Sequence, residues 1–333
     1  MRSVMRSIII AIVLAWTISS GHAQSATQRP PNGTKAFMPP STPWGDPDLE
    51  GTYTDKDEMG IPMERPTEFE GKRPEDISAA ELATIVKARQ VQAKAFAAVI
   101  GGGAGNDTGA GPPHWYEHLD SNNSRAWMIV DPADGRIPPL APGAREAPLF
   151  GEERADSYED RSLYDRCITR GVTGSMLPVI YGNSFQFLQG PGFVAIREEM
   201  IHETRIIPLN RRPHMGARIR SYMGDARGYF DHGTLVVETT NFTNRTAIGI
   251  NGNGRPDSEK LRLTERFTPI GPRTLEWSVT VDDPGTWLRP WTFTLNLTKD
   301  PTQGVFEYAC HEGNLGLSNI LSVARTEEQR HRR

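Results

Sequence analysis

Several features that define common protein classes are scarce in this chain of 333 residues. Repeated apolar runs of about 20 residues, which a multi-span membrane protein needs, are missing. Lys and Arg number 37 against 41 Asp and Glu, so the net charge of −4 shows no basic excess of the kind that binds nucleic acid. Hydrophobic residues make up 37% of the chain, which excludes a collagen-like, coiled-coil or wholly disordered protein. A globular chain of one large or two ordinary domains remains.

The motifs of several large enzyme classes are also missing. The chain has no Gly-x-Ser-x-Gly elbow, no Walker loop and no His-Glu-x-x-His. The glycines Gly252 and Gly254 belong to a turn and do not follow a strand that opens a helix. Nucleotide-dependent, α/β-hydrolase and zincin functions are therefore excluded, and we expect no cofactor and no metal.

The first 23 residues have the pattern of an export signal. Arg2 and Arg6 precede an apolar stretch over residues 8–18, and Gly21 and Ala23 form a small-x-small cleavage site before Gln24. The alternative is an uncleaved anchor helix, but the apolar stretch is only about half the length of a membrane span. We therefore expect a periplasmic or secreted protein that is not inserted in the membrane after cleavage.

Two cysteines in an exported chain predict a disulfide, because exported proteins meet an oxidising environment. Cys167 and Cys310 allow only one intrachain pairing. His311 and Glu312 directly follow Cys310, so a nucleophilic thiol is the competing interpretation. The spacing alone does not decide between the two.

The sequence pattern changes from a mixed N-terminal half to a strand-rich C-terminal half. A capping box formed by Ser78 and Glu81 introduces a helical pattern that stops at Gly101. Hairpin turns are predicted at 231–233 and 270–272. We expect strands at 49–54, 124–130, 184–189, 193–199, 201–207, 217–223, 227–231, 234–242, 260–269, 273–282, 288–298 and 304–309. Consecutive antiparallel strands must close or stack to protect their edges, which predicts a mainly β, up-and-down barrel with an N-terminal loop and helix layer.

The predicted domain organisation has five parts. They are a signal peptide at 1–23, a mobile leader at 24–48, a layer of strand, helix and loop at 49–174, an antiparallel β-barrel at 175–325 and a tail at 326–333.

Residues 198–205 form the densest polar group within a strand-like segment. As a strand, this segment places Glu199 and Arg205 on one face and His202 on the other. The alternative is an ion-pair ladder on a solvated face.

If the disulfide forms, it draws Arg166 and Arg170 close to His311 and Glu312. Two arginines, an imidazole and a carboxylate can bind an anionic or carbonyl oxygen, and a histidine beside a carboxylate suits general acid/base chemistry. The alternatives are a satisfied buried network for the arginines and a capping or rim role for His311.

Residues 114–118 (HWYEH) join two imidazoles, a carboxylate and two aromatic rings. His-x-x-x-His binds zinc only in a helix, and Pro112 and Pro113 precede this segment. A pocket wall that contains Trp115 and Tyr116 or ordinary loop packing is therefore favoured over a metal site.

Six blocks of the chain resemble a family of exported bacterial proteins of unassigned function. The blocks are 43–52 (PWGDPDLEGT), 165–171 (DRCITRG), 199–208 (EMIHETRIIP), 224–228 (GDARG), 233–242 (GTLVVETTNF) and 306–314 (FEYACHEGN). The resemblance implies a shared fold and a shared polar set consisting of Arg166, Arg170, Glu199, His202, Arg205, Asp225, His311 and Glu312. Gly51 and Tyr53 also resemble the first strand of calycin-type barrels, so a calycin-like, lipocalin-like barrel is expected. The resemblance implies no activity.

Two functions fit these residues. The first is a periplasmic, cofactor-independent lyase, isomerase or hydrolase that uses general acid/base chemistry on a small organic molecule held in the barrel. The predicted catalytic residues are His202, His311, Glu199 and Glu312, and the predicted substrate-binding residues are Arg166, Arg170, Arg205, Asp225, Trp115 and Tyr116. The alternative is a lipocalin-like protein that binds a small molecule without turnover. The partner in either case is a small molecule, and the sequence does not indicate an oligomeric state.

Overall fold

A computed structural model of the protein describes residues 37–101, 115–117, 119–146, 155–210 and 212–332. The predicted signal peptide, most of the predicted leader, His114 and His118 lie outside the described residues. Within these ranges, no helix has the length and apolar character that a membrane span requires.

β-strands are the most abundant regular secondary structure of the described residues. The strands are β1 (Gly51–Thr54), β2 (Ile129–Asp131), β3 (Ser184–Gly190), β4 (Phe193–Glu198), β5 (Thr204–Pro208), β6 (Asp225–Asp231), β7 (Thr234–Thr240), β8 (Ala247–Ile248), β9 (Arg255–Pro256), β10 (Arg262–Gly271), β11 (Thr274–Asp282) and β12 (Trp291–Lys299). The α-helices are α1 (Ala79–Gly101), α2 (Gly171–Met176) and α3 (Leu315–His331).

Nine of the strands form one antiparallel path in the order β5-β4-β3-β1-β12-β11-β10-β7-β6, and β2 adds to β12. The two ends of the path meet at Gly228 of β6. A Cβ atom at Gly228 would lie 2.7 Å from Ile207 of β5, so the two strands pack directly against each other. The sheet is therefore a nearly closed antiparallel barrel, which confirms the predicted fold class and is consistent with a calycin-like architecture.

Aromatic side chains fill much of the barrel interior. Residues alternate between buried and half-buried along β10 and β11, as expected for strands with one face inward. The rings of Phe267 and Trp277 are stacked 6.4 Å apart, and Trp277 meets Phe293 edge to face at 5.6 Å. All three side chains are fully buried. The part of the interior that they occupy is packed core, not space for a ligand.

One buried ion pair crosses the interior beside these rings. Arg205 of β5 donates from Nη1 to Oε1 of Glu265 at 3.1 Å, and its Nη2 donates to Oε2 of the same carboxylate. Trp277 donates from Nε1 to Oε1 of Glu265 at 3.1 Å. Because β5 and β10 are not neighbours in the sheet, this network ties two separate parts of the barrel wall together.

The predicted helix and both predicted hairpins are confirmed, whereas the strands predicted at 217–223 and 304–309 are wrong and two others are only partly right. The segment 124–130 is a strand only from Ile129. The segment 201–207 is a strand only from Thr204, because residues 200–202 form a 3₁₀ turn with Ile201 at a φ of 61°. The alternation predicted for Glu199 and His202 therefore fails. Residues 217–223 form turns. Residues 304–309 follow β12, whose two edges are already paired with β1 and β11, so no edge is open to them.

A C-terminal helix, α3, lies where the sequence analysis expected the end of the barrel and a tail. The side chain of Asn314 accepts a hydrogen bond from the backbone N–H of Leu317 and thereby caps this helix. Leu317, Ile320, Leu321 and Ala324 follow at helical spacing. This pattern was the signal for a helix in the sequence.

Candidate functional site

The predicted disulfide between Cys167 and Cys310 is formed, with the two Cα atoms 5.7 Å apart. The competing interpretation of Cys310 as a nucleophilic thiol is therefore wrong. Asn314 reinforces the link by donating from Nδ2 to the backbone oxygen of Asp165 at 2.8 Å. The bond fixes the segment after β12 against the segment before α2, and it fits a protein that folds under oxidising conditions.

Three tyrosines meet beside this disulfide. Tyr308 lies close enough to Tyr164 and Tyr181 to raise the pKa of both phenols. Burial raises the pKa of Tyr164 and of Tyr181, so both phenols stay protonated at neutral pH. Trp115 is 51% exposed and meets Tyr181 edge to face at 5.8 Å, while Tyr116 is buried behind it. The aromatic group thus runs from the surface inward.

Arg170 lies at the inner side of the tyrosines, directly before α2. Its guanidinium carbon is 5.4 Å from the centroid of the Tyr164 ring, and only 1% of its surface is exposed. Nη2 donates to Oδ1 of Asn251. Nε and Nη1 have no hydrogen-bond partner among the described residues. Burial lowers the pKa of Arg170, but an arginine remains protonated in proteins, so a charged group with unmet donors is buried here.

Strand register brings three carboxyl groups to the same edge of the barrel. The end of β1 pairs with the start of β3 at Thr54 and Ser184, and the start of β3 pairs with the end of β4. Asp55 directly follows β1, and Glu198 and Glu199 lie at the end of β4. The three residues therefore lie at the same end of the barrel. The charge of Arg170 acts on both Asp55 and Glu198, which places the guanidinium over this edge. Glu199 adjoins this group through Glu117, whose charge acts on both Asp55 and Glu199. We call the group formed by Arg170, Asp55, Glu198, Glu199, Tyr164, Tyr181 and Tyr308 the Arg170 cluster.

The three carboxyl groups of the Arg170 cluster have raised pKa values because they are buried. Burial raises the pKa of Asp55 well above its usual value, and Arg170 only partly opposes this shift. Burial raises the pKa of Glu198 to about 8. Burial, together with the nearby charge of Glu117, raises the pKa of Glu199 to about 7. Glu199 is thus half-protonated near neutral pH, which suits a group that gives and takes protons.

Unpartnered polar atoms are concentrated in this cluster. Both oxygens of Asp55, both of Glu198 and Oε2 of Glu199 are buried without a hydrogen-bond partner among the described residues. Native proteins pair nearly all such atoms with protein groups or ordered water, so each exception calls for an explanation. Their concentration with the unmet donors of Arg170 is the arrangement expected where a polar ligand or water supplies the missing partners.

The structure brings four of the predicted site residues to this cluster. Arg170 and Glu199 are members, and Trp115 and Tyr116 lie beside Tyr181 at its outer side. His202 is exposed but adjoins the cluster, because its Nδ1 lies 3.0 Å from the backbone oxygen of Tyr308. His202 is therefore positioned outside the cluster and not within it.

Other predicted site residues lie elsewhere. His311 and Glu312 are exposed on the turn that precedes α3. Arg166 is half-buried over the ring of Tyr158, with its guanidinium carbon 5.1 Å from the ring centroid. Arg205 pairs with Glu265 inside the barrel, but its charge also acts on Glu198 of the Arg170 cluster, more strongly than that of Arg170.

Asp225 belongs to a separate network on β6. Its carboxylate pairs with Nδ1 of His214 at 2.9 Å and with Nη1 of Arg227 at 2.7 Å, and it also accepts the backbone N–H of Met215 at 3.0 Å. These contacts order the loop before β6. None of these partners of Asp225 is a member of the Arg170 cluster, so Asp225 lies outside the candidate site.

A cleft beside α1 is a weaker candidate for a binding site. Its volume is about 240 Å³, and it is lined by Arg89, Gln90 and Phe96 of α1, with Met59 and Ile180 opposite. Ligand pockets are usually larger, at about 300–1,000 Å³. Arg89 also donates to the backbone oxygens of the adjoining segment, so its charge already has a structural role.

The raised pKa of Glu198 predicts a dependence of stability on pH. A carboxyl whose pKa is about 8 when folded, against 4.5 ordinarily, favours folding when it is protonated. Its contribution is complete below pH 4.5 and is lost as the pH rises to about 8. Glu198→Gln should remove this loss, so at pH 8–9 we expect the variant to gain stability relative to wild type, on the order of a few kcal/mol.

Urea unfolding of both proteins from pH 4.5 to pH 9 measures this difference. Glu238→Gln, on the outer face of β7, is the matched control and should follow the wild-type curve. If the free energy of unfolding has the same pH dependence in wild type and Glu198→Gln from pH 4.5 to pH 9, then Glu198 ionises normally.

Comparisons with known proteins assign no family. No protein-family model and no curated protein matches the chain. A solved structure of a secretary abundant heat soluble (SAHS) protein from Ramazzottius varieornatus is similar at 13% identity with a TM-score of 0.23, over 42% of this chain and 87% of that chain. A likeness at that TM-score supports neither fold nor function. The resemblance to a family of exported bacterial proteins therefore stays a prediction.

Within the described ranges, no three His, Cys, Asp or Glu side chains are grouped to hold a metal ion.

Proposed function

We propose that the protein is an exported, cofactor-independent enzyme that applies general acid/base chemistry to a small organic molecule at the Arg170 cluster. The observation that carries this proposal is the concentration of buried, unpartnered carboxyl and guanidinium atoms in one place. A binder of apolar ligands needs few convergent ionisable groups, whereas an acid/base enzyme needs at least two with separated pKa values.

The groups of the cluster divide into proton-transfer and charge-stabilising roles. Glu199, with a pKa of about 7, is the general acid or base in this mechanism. Arg170 and the protonated hydroxyl of Tyr164 stabilise the negative charge that develops when a proton leaves the substrate. Both reactions begin when Glu199 removes a proton from the substrate. If the proton returns to another atom, the reaction is an isomerisation. If a leaving group departs instead, the reaction is an elimination, as in a lyase.

Glu199 replaces the histidines as the main proton-transfer candidate in this proposal. His202 and His311 are exposed to solvent, and neither is buried with the unmet polar atoms. A general acid or base must lie within hydrogen-bond reach of the proton that it moves. The contact that His202 makes with the cluster is with the backbone oxygen of Tyr308, which has no proton to pass on, so the proposal gives His202 no proton-transfer role.

A binding protein without turnover is the second candidate, since the same unpartnered atoms can hold a ligand unchanged. Incubation of the purified protein with a panel of aromatic and glycoside-like compounds, followed by mass spectrometry of the products, separates the two functions. A compound that binds and is recovered unchanged, with no product from any other compound, contradicts the enzyme proposal.

Glu199→Gln should lower the turnover number by about two orders of magnitude or more once a substrate is known, because the amide cannot exchange a proton. The rate of the wild-type enzyme should change with pH around the pKa of Glu199, about 7, and the variant should lose that dependence. Glu238→Gln should retain the wild-type rate and pH profile. A Glu199→Gln variant that keeps both would remove Glu199 from the mechanism.

We infer a periplasmic or secreted location from the Cys167–Cys310 bond and the export signal predicted from the sequence. N-terminal sequencing of the protein from the natural cell tests this. A mature chain that begins at Gln24 in a cell-free or periplasmic fraction is the expected result, and an uncleaved chain in the cytosolic fraction is the contrary one.

A further inference from the structure

We infer that the Arg170 cluster takes an uncharged, ring-shaped polyhydroxyl compound, of the sugar or simple glycoside class. The inference rests on the proposed site, but it names the chemistry of the ligand and does not require turnover. It follows from which hydrogen bonds the buried groups lack and from the aromatic rings at the outer side of the cluster.

The buried groups lack both donors and acceptors. Nε and Nη1 of Arg170 need an acceptor, whereas the oxygens of Asp55 and Glu199 need a donor when they are ionised. Arg170 is 1% exposed and Asp55 is 1% exposed, so bulk water does not satisfy either group. A ligand that fits this set must present donors and acceptors within a small volume.

Charged ligands fit this set poorly. A carboxylate or fully ionised phosphate would pair with Arg170 but has no hydrogen to donate to the unpartnered oxygen of the partly ionised Glu199. An ammonium ion would pair with Glu199 but would lie beside the buried guanidinium. Like charges that are brought together out of water repel strongly. A hydroxyl group is neutral and both donates and accepts, so several hydroxyl groups on one molecule meet the requirement.

The aromatic rings favour a cyclic molecule. Trp115 is 51% exposed and meets Tyr181 at 5.8 Å, so its ring covers the outer side of the cluster while part of it still faces solvent. An aromatic ring offers a broad apolar face at small entropic cost. A pyranose ring has an apolar C–H face and a rim of hydroxyl groups, which matches an aromatic ring next to buried donors and acceptors.

Isothermal titration at pH 7 tests this directly. The probes are methyl pyranosides of the gluco, galacto, manno and xylo series, with glucuronate and glucosamine as charged analogues and cyclohexanol as an apolar ring with one hydroxyl. We expect at least one neutral pyranoside to bind about tenfold or more tightly than either charged analogue and than cyclohexanol.

Trp115→Ala should weaken that binding about tenfold and lower the thermal midpoint only slightly, since the half-exposed ring packs against Tyr181. Trp44→Ala is the matched control, because Trp44 is 38% exposed and its indole nitrogen donates to Asp46 in a separate turn. Equal weakening by both variants would mean that the sugar does not use the Arg170 cluster, and would overturn the inference.

Three other outcomes also overturn the inference. They are tighter binding of glucuronate, tighter binding of glucosamine, and no binding of any neutral pyranoside at high millimolar concentration. A different result contradicts the proposed function. A pyranoside that binds through Trp115 and is recovered unchanged supports the ligand class and contradicts catalysis. Turnover of a compound that is not a sugar, with no pyranoside binding, preserves the catalysis and removes the ligand class.

Discussion

Replacement of Arg205 by Met should lower the free energy of unfolding by about 3–5 kcal/mol, because it leaves the carboxylate of Glu265 buried without its counter-charge. The Arg205 and Glu265 side chains are 4% and 0% exposed, so water cannot take over the lost interactions. The hydrogen bond from Trp277 remains and satisfies only part of one oxygen. Urea unfolding at pH 7, followed by tryptophan fluorescence, measures the loss.

A second substitution distinguishes an uncompensated charge from lost packing. Arg205→Met combined with Glu265→Gln removes both charges and keeps an acceptor for Trp277, so the double variant should recover most of the stability that Arg205→Met loses. Arg266→Met is the surface control, since Arg266 pairs with Asp231 on the outer face and both side chains are 38% exposed. That change should cost less than about 1 kcal/mol. Equal losses for Arg205→Met and the double variant would mean that the size of Arg205 matters and its charge does not.

Loss of the disulfide should have an effect of similar size. The bond closes a loop with a sequence separation of 143 residues, for which loop-closure entropy predicts a contribution of up to about 5 kcal/mol. The double variant Cys167→Ser, Cys310→Ser should therefore unfold at a much lower urea concentration than the oxidised wild type. Addition of a reductant should shift the wild type toward the variant and leave the variant unchanged.

The disulfide variant should also disturb the Arg170 cluster. Tyr308 lies two residues before Cys310, and its hydroxyl and backbone contacts reach Tyr164, Tyr181 and His202. Without the bond, the segment that carries Tyr308 keeps only non-covalent contacts, such as the hydrogen bond from Asn314 to Asp165, so ligand binding should weaken along with stability. A double variant with native stability and native binding would show that the bond is dispensable for both.

Much of the barrel could be predicted from the sequence because its strands carry a strong local signal. Residues 262–282 alternate between inward and outward positions around a tight turn, and the structure has the hairpin of β10 and β11 there. The turn at Met200–His202 could not be predicted in this way, since it depends on a left-handed backbone at Ile201 within a polar segment that otherwise has the pattern of a strand. The exclusion of 304–309 from the sheet depends on strand order, which no local pattern contains.

The candidate site was predictable only in part. Arg170 stood out because it lies next to Cys167, and Glu199 because it begins a dense polar run. Asp55 was missed, although an acidic residue directly after a short strand was the available signal. Tyr164 and Tyr308 were also missed, since a lone tyrosine is ordinary in sequence and gains significance only when the disulfide brings it beside a buried arginine.

The pairing of β1 with β12 has a consequence for how the chain reaches its native state. Tyr53 lies opposite Lys299, so the first strand of the barrel gains one of its two neighbours only when almost the whole chain has left the ribosome. Contacts between residues so distant in sequence make folding slow, because the entropy of closing the loop is lost before the contact forms. The wall of the barrel is therefore completed only after most of the chain has been synthesised. Such late assembly suits the export that the N-terminal sequence predicts.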